Sequence, residues 1–245
     1  NNDGCIIARS NEAKALGIPM GAPAFEFEKD FIKHSIKVFS SNYPLYGDMS
    51  SRVMNLLREY TPDVEIYSID EAFLKFDGFK LYALKAIGNE MQKRVTKGTG
   101  IPISVGFAPT KALAKVANRI AKKFPKITNS VYVIDDEKKR VKALKWLKIE
   151  DVWGVGRQHS KRLNNIGVVN AYQFTKLSDY WVRKHMSVVG LRLKHDLQGI
   201  PTLDLETPAN KKMIATTRSF EKMHYKFEDV SERVGTFAIS CADVN

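Results

Sequence analysis

Cysteine is scarce in this chain of 245 residues, which contains only Cys5 and Cys241. Two cysteines cannot form a disulfide framework and here lack the spacing of metal ligands, so a reduced cytoplasm is the simplest setting. The five histidines share no spacing with cysteines or acidic residues that predicts a zinc site. The sequence also lacks a run of about 20 apolar residues, and its start lacks a basic flank followed by an apolar signal core. These absences predict a soluble intracellular protein.

Positive charge is in excess. The chain has 39 Lys and Arg residues against 27 Asp and Glu residues, a formal net charge of +12, and 44% of its residues are hydrophobic. That apolar content is enough for a core of about one to two domains. The charge favours a polyanionic partner, with nucleic acid ahead of an anionic membrane surface, because no basic amphipathic helix presents a bulky aromatic and leucine face.

Apolar spacing predicts strands that alternate with helices up to residue 134, followed by helices alone from 141 to 199. The segment 5–8 is predicted to be a buried strand, the charged cluster 135–140 a boundary, and the polar segment 206–210 a linker. The remaining predicted elements are helices at 11–16, from Asp48 to before Pro62, at 81–95 and after Pro109, a hairpin around 64–76, and strands at 101–107 and 130–134.

Two adjacent carboxylates, Asp70 and Glu71, interrupt the strand-forming residues of 64–76. An unpaired charge buried in such a run would be strongly penalised, so a cation is expected to compensate the pair. Mg²⁺ is the natural candidate because it takes carboxylate and phosphate oxygens and keeps several waters. Successive strand residues point to opposite faces, so the two carboxylates converge only if the hairpin is bent or bulged. The alternative is a hairpin with a solvated Asp-Glu tip.

A helix from Thr110 carries four cations within a narrow stripe at 100° per residue: Lys111, Lys115, Arg119 and Lys122. The apolar face of the same helix is expected to join the core. Such a line of cations suits the phosphate backbone of DNA, and the alternative is an ordinary solvated face.

Two glycines, Gly154 and Gly156, precede a helix that contains Lys161 and ends at Gly167. Glycine lets a backbone approach a phosphate closely, and the free N–H groups at a helix start favour an anion. The pattern therefore fits a sequence-independent contact with DNA, and it also fits a tight turn between two helices.

Three motifs in order link the chain to a known family: Asn-Glu-Ala-Lys-Ala-Leu-Gly at 11–17, Glu-Ile-Tyr-Ser-Ile-Asp-Glu-Ala-Phe at 65–73, and Val-Trp-Gly-Val-Gly at 152–156. They resemble the Y-family of translesion DNA polymerases, most closely the UmuC-type catalytic subunits of bacterial DNA polymerase V. The segments 1–5 and 40–43 are similar to the same subunits, so the resemblance covers essentially the whole chain.

The resemblance implies an α/β palm with small fingers, followed by an all-α thumb and the start of an α+β little finger. A first palm strand with an Asp-x-Asn-x-Phe-Tyr motif is expected upstream of Asn1, so the chain by itself is expected to be nearly inactive. The implied domains are partial fingers at 1–41, the palm at 42–134, a helical thumb with a helix-hairpin-helix at 135–203, a linker at 204–213, and a truncated little finger at 214–245.

The resemblance also implies a template-directed, error-tolerant DNA polymerase that uses two Mg²⁺ ions. The carboxylates of the 65–73 motif would be the catalytic metal ligands. Lys14 and Lys122 match positions that contact the incoming triphosphate, and Ile7 and Ala8 match the roof over the nascent base pair.

The expected partners are primed template DNA, deoxynucleoside triphosphates and, by resemblance, a UmuD-like subunit, a RecA-type recombinase filament and a sliding clamp, with no membrane. A non-catalytic DNA-binding protein on a polymerase scaffold is the competing hypothesis. The basic helix and the glycines would survive in both, whereas the retained Asp70 and Glu71 favour catalysis.

Overall fold

The computed structural model describes residues 4–78, 83–206, 213–217, 220 and 223–242. The chain divides into two compact units, one formed by Asn1–Tyr43 with Ala209–Asn245 and the other by Pro44–Pro208. The elements of the described residues are α1 (Asn11–Ala15), α2 (Glu28–Lys33), α3 (Tyr43–Arg58), β1 (Val64–Ser68), β2 (Glu71–Leu74), α4 (Leu84–Thr99), β3 (Val105–Phe107), α5 (Lys111–Lys123), α6 (Pro125–Thr128), β4 (Val131–Val133), α7 (Glu137–Trp146), α8 (Arg157–Asn165), α9 (Ala171–Thr175), α10 (Asp179–Leu197) and α11 (Phe227–Ala242), with short 3₁₀ turns at Ala24–Phe27 and Ile149–Asp151.

The first unit contains α1, which confirms the helix predicted at 11–16, together with α2 and α11. The segment 5–8 is not the buried strand that was predicted, because Cys5 forms an isolated bridge with Pro23 and Ile7 is 52% exposed. A segment that pairs at a single residue has no neighbouring strand along its length to bury its side chains.

The second unit holds two small sheets. The antiparallel hairpin β1–β2 pairs Val64 with Leu74 and Ser68 with Glu71, and a bulge at Tyr67 shifts the register between those pairs. The sheet β3–β4 is parallel, and its strands are connected through α5 and α6. Both the hairpin and the strand at 130–134 were therefore predicted correctly from apolar alternation.

The helix α5 contacts both the β3–β4 sheet and the later helices of this unit. Thr110 begins the helix by accepting a hydrogen bond from the Leu113 amide at 3.3 Å, and Leu113 and Ala117 are completely buried. On one side α5 packs against β3 and β4, and on the other against α7 and α10. The predicted palm and thumb thus lie in one compact unit, and the boundary at 135–140 stays a prediction, with Asp136 capping α7 there.

Two element boundaries differ from the predictions, and one helix has an interruption for which no prediction was made. α3 begins at Tyr43 rather than at Asp48, because Pro44 fits the first turn of a helix. The predicted strand 101–107 shortens to β3, since Pro102 has no N–H for a ladder bond. α10 is interrupted at Ser187, which has a positive φ of 62°.

Some expectations fall partly outside the described residues. The helix predicted at 81–95 is α4, and Leu81 itself lies outside them. Likewise, the linker and little-finger predictions include 207–212, 218–219, 221–222 and 243–245, which are also outside them. No described helix is long and apolar enough to cross a membrane.

Gly106→Ala should destabilise the second unit, because β3 and α5 approach each other closely at this residue. A Cβ built on Gly106 would collide with the backbone nitrogen of Asn118 and lie 2.5 Å from the carbonyl oxygen of Ala114. We expect the free energy of unfolding, measured by urea denaturation, to fall by about 3 kcal/mol. The matched control is Gly47→Ala in α3, where no atom lies within 4 Å, and it should raise stability by up to about 1 kcal/mol. Equal effects at both sites would contradict the close approach.

Candidate active site

The predicted carboxylates lie at the tip of the β1–β2 hairpin. Ile69 and Asp70 form its two-residue turn, and Glu71 is the first residue of β2. The Ser68 hydroxyl donates to Asp70 Oδ1 at 2.7 Å. Both carboxylates are exposed, so the expectation that they lie buried is wrong: the tip extends past the covered part of a two-stranded sheet. A bulge lies at Tyr67, three residues before Asp70, and the convergence of the two carboxylates stays a prediction.

A lysine of α5 supplies the cation that the tip was expected to need. Lys115 Nζ lies 2.5 Å from Glu71 Oε1, and the two side chains are 21% and 44% exposed. The same ammonium lies 5.3 Å from the ring centroid of Tyr67 and 6.0 Å from that of Trp153. Lys115 therefore lies beside Glu71 and over two aromatic rings, where its charge is only partly hydrated.

Three aromatic rings connect the hairpin to the region before α8. The Tyr67 centroid lies 5.7 Å from Phe73 and 5.7 Å from Trp153, and Phe73 lies 5.9 Å from Trp153. The indole Nε1–H of Trp153 donates to the Tyr67 hydroxyl at 3.2 Å. This cluster fixes one face of the hairpin without using either tip carboxylate.

The remaining cations of the predicted stripe have different surroundings. Lys111 Nζ lies 2.5 Å from Glu65 Oε2 in an ion pair whose side chains are only 9% and 10% exposed. Arg119 pairs with Asp151 at 2.5 Å. Lys122 is exposed and makes no ion pair within the described residues. The helix and its cationic line are confirmed, while contact of these cations with DNA or triphosphate stays a prediction.

A cleft of about 270 Å³ opens between α5, the hairpin tip and the segment before α8. Its floor is apolar and includes Val116 and Leu147, whereas its walls carry charge. The charged lining residues are Glu71, Lys115, Arg119, Lys122 and Asp151. Cations around an apolar floor suit a ligand that combines phosphate oxygens with an apolar ring system.

A second charged cluster holds the base of the hairpin. Lys75, which follows β2, pairs with Asp204 at 3.1 Å and with Asp77 at 3.4 Å. The hydrogen bond to Asp204 raises the pKa of the Lys75 ammonium. The hydrogen bond from the backbone N–H of Leu205 lowers the pKa of the Asp204 carboxyl, and the hydrogen bond from Lys75 lowers it further. Both groups are therefore charged near neutral pH.

The predicted glycine turn forms as expected. Gly154 has φ +83°, Gly156 directly precedes α8 without a side-chain cap, and Lys161 is exposed on that helix. Contact of these residues with DNA stays a prediction.

The predicted nucleotide-binding residues of the first unit are all exposed: Ile7, Ala8 and Lys14. Lys14 lies in α1, and its Nζ donates to Asn11 Oδ1 at 3.4 Å. Their predicted roles stay predictions.

The donor set at the tip fits a hard divalent ion in part. Asp70 and Glu71 offer carboxylate oxygens on an exposed turn, where phosphate oxygens and waters can complete the coordination that Mg²⁺ requires. The described residues contain no cluster of three or more His, Cys, Asp or Glu side chains that could hold a metal alone.

Sequence reasoning missed the acidic partners of the stripe, Glu65 and Asp151. One signal was available for Glu65, since it stands among apolar residues at an alternating position of β1 that pairs with the buried Phe73. No local pattern identifies Asp151, which meets Arg119 only through the fold.

A family profile described as the impB/mucB/samB family matches residues 1–119. The chain is 43% identical to the protein UmuC of Salmonella typhimurium over 99% of its own length and 58% of that protein. It is 32% identical to DNA polymerase IV of Saccharolobus solfataricus, over 68% of this chain and 46% of that protein. The chain thus spans about half the length of these curated relatives.

Solved structures share the fold. The insertion ternary complex of Dbh DNA polymerase matches with a TM-score of 0.67 and 24% identity, over 80% of this chain and 56% of that chain. This likeness confirms the palm, fingers and thumb architecture predicted for the chain.

Trp153→Ala should loosen the hairpin, because it removes both ring contacts and the indole hydrogen bond. We expect the free energy of unfolding in urea to fall by about 2 to 3 kcal/mol. Trp153→Phe keeps a ring but loses the hydrogen bond, and should cost about 1 kcal/mol. Tyr180→Ala is the control, since Tyr180 is 76% exposed. If Trp153→Ala matched this control, the cluster would not stabilise the hairpin.

Proposed function

Because the chain belongs to the Y-family of DNA polymerases through the impB/mucB/samB family, we propose that the protein is a template-directed, error-tolerant DNA polymerase of translesion synthesis. The observation that carries this proposal is the hairpin tip, where Asp70 and Glu71 are exposed beside a cleft lined by Lys115, Arg119 and Lys122. A carboxylate pair next to a cationic cleft is the arrangement that nucleotidyl transfer needs.

In the proposed reaction the primer 3′-oxygen attacks the α-phosphorus of a deoxynucleoside triphosphate. One P–O bond forms to the primer, the bond to the β-phosphate breaks, the hydroxyl proton passes to water, and pyrophosphate leaves. When bound, two Mg²⁺ ions held by Asp70 and Glu71 would activate the hydroxyl and stabilise the leaving group. By the family resemblance, Lys122 is proposed as a triphosphate contact of the second unit. For the first unit, the same resemblance proposes Lys14 as a triphosphate contact and Ile7 and Ala8 as the roof over the nascent base pair.

The thumb residues are proposed to hold the primed template without reading its sequence. Gly154 and Gly156 let the backbone approach a phosphate, and Lys161 on α8 adds a charge. By the same family resemblance, a UmuD-like subunit, a RecA-type filament and a sliding clamp would be partners, and the protein would act on DNA in the cytoplasm.

Asp70→Ala should abolish single-nucleotide incorporation on a primed template with Mg²⁺, because it removes the shared metal ligand. We expect the rate of incorporation by the full-length protein to fall at least about a thousandfold. The matched control is Asp63→Asn, which alters an exposed carboxylate just before β1 and should keep full activity. Normal extension by Asp70→Ala would refute the metal assignment. A wild type without extension that still binds DNA with salt-sensitive affinity would indicate the non-catalytic scaffold.

Lys115→Met should tighten divalent-ion binding at the tip, because Lys115 competes for Glu71. We expect Mn²⁺ affinity, followed by paramagnetic broadening of the tip amides, to rise about tenfold, or about 1.4 kcal/mol. Lys123→Met on the same helix removes an exposed charge and should leave that affinity unchanged. Unaltered Mn²⁺ binding in Lys115→Met would exclude Glu71 as a ligand that Lys115 masks.

A further inference from the structure

Lys111 belongs to the cationic stripe by sequence, yet its ammonium faces the protein. Its Nζ lies 2.5 Å from Glu65 Oε2, and only 9% of the lysine side chain is exposed. The same ammonium lies 5.3 Å from the ring centroid of Phe73. A DNA phosphate could reach this ammonium only by displacing Glu65. Lys111 therefore needs a different role from Lys122.

Glu65 has a second partner. The same oxygen, Oε2, accepts a hydrogen bond from the backbone N–H of Glu206 at 2.6 Å. Glu206 ends the segment 201–206, called here the return segment, which follows α10. One buried carboxylate oxygen thus joins a helix, a strand of the hairpin and the chain that leaves the thumb.

The return segment is held at two further points. Near α10, the Thr202 amide and hydroxyl both donate to Asp196 Oδ1 at 2.8 Å. In its middle, Asp204 pairs with Lys75, the residue that follows β2. Both strands of the hairpin therefore hold the return segment, β1 through Glu65 and β2 through Lys75.

We propose that Lys111 is a positioning residue that, through Glu65, locks the return segment onto the hairpin and so sets the position of Asp70 and Glu71. The ion pair lies near the base of the hairpin, whose strands pair from Val64–Leu74 to Ser68–Glu71 with a bulge at Tyr67. A displacement of the return segment at Glu206 is passed to Glu65 and along β1 to the tip. This positioning role rests on the proposed metal-binding function of the two carboxylates.

The test compares Lys111→Met, Glu65→Gln and the charge-reversed double variant Lys111→Glu with Glu65→Lys, with Lys123→Met as the control. Backbone amide exchange of metal-free protein is the first readout. We expect exchange in Val64–Ser68, in Glu71–Leu74 and at Glu206 to rise at least tenfold in both single variants, with partial recovery in the double variant and no change in the control.

The second readout separates positioning from DNA binding. In Lys111→Met the half-saturating Mg²⁺ concentration for nucleotide incorporation should rise at least fivefold, whereas affinity for primed template and its salt dependence should stay within twofold. Weaker DNA binding with a shallower salt slope and unchanged amide exchange would overturn the proposal and make Lys111 a phosphate ligand.

Two controls keep the outcomes distinct. If the wild type incorporates no nucleotide, the proposed function fails, and the exchange measurement still decides whether the lock exists. If Lys111→Met does not fold, Glu206→Pro removes the N–H that the return segment donates to Glu65 and leaves the Lys111–Glu65 ion pair in place. Faster hairpin exchange in Glu206→Pro supports the lock, and unchanged hairpin exchange overturns it.

Discussion

The structure of the candidate site depends on two ion pairs between α5 and the hairpin, one turn apart on the helix. Lys111 with Glu65 is nearly buried, whereas Lys115 with Glu71 is partly hydrated. Removing one partner of a buried pair costs about 3 to 5 kcal/mol, while an exposed pair contributes about 1 kcal/mol or less. The hairpin is therefore fixed at its base and adjustable at its tip. This division suits the proposed metal site, in which Glu71 would exchange Lys115 for a divalent ion while its strand stays in place.

The hairpin shows how far sequence reasoning reaches. Apolar and β-branched residues predicted the strands. The sequence allowed Asp70 and Glu71 to converge only if the hairpin were bent or bulged, and the structure has a bulge at Tyr67. Burial of the tip was predicted wrongly, because alternation shows which residues favour a strand but not how much of a two-stranded sheet its neighbours cover. Here α5 and Trp153 cover the lower part of the hairpin, so the turn remains in solvent.

The basic helix shows the complementary limit. Helical spacing placed four cations on one line and correctly put Leu113, Val116, Ala117 and Ile120 in the core. The spacing could not show what stands opposite that line. Glu65, Glu71 and Asp151 come from segments distant in sequence and neutralise three of the four cations. Angular position on a helix is a local property, whereas the partner of each side chain is decided by tertiary packing.

This pairing also shows where the charge excess of the second unit can act. Along α5 the cations nearest its start are neutralised by carboxylates, whereas Lys122 and Lys123 at its end are exposed and make no ion pair among the described residues. Cations are stabilised at a helix C-terminus by the backbone carbonyls, so this end of α5 retains charge without needing an acidic partner. An approaching phosphate meets Lys122 without displacing anything, but at Lys115 it must first separate Glu71 from its ammonium. Binding at the end of α5 should therefore precede any rearrangement at the tip, because only the second step breaks an existing ion pair.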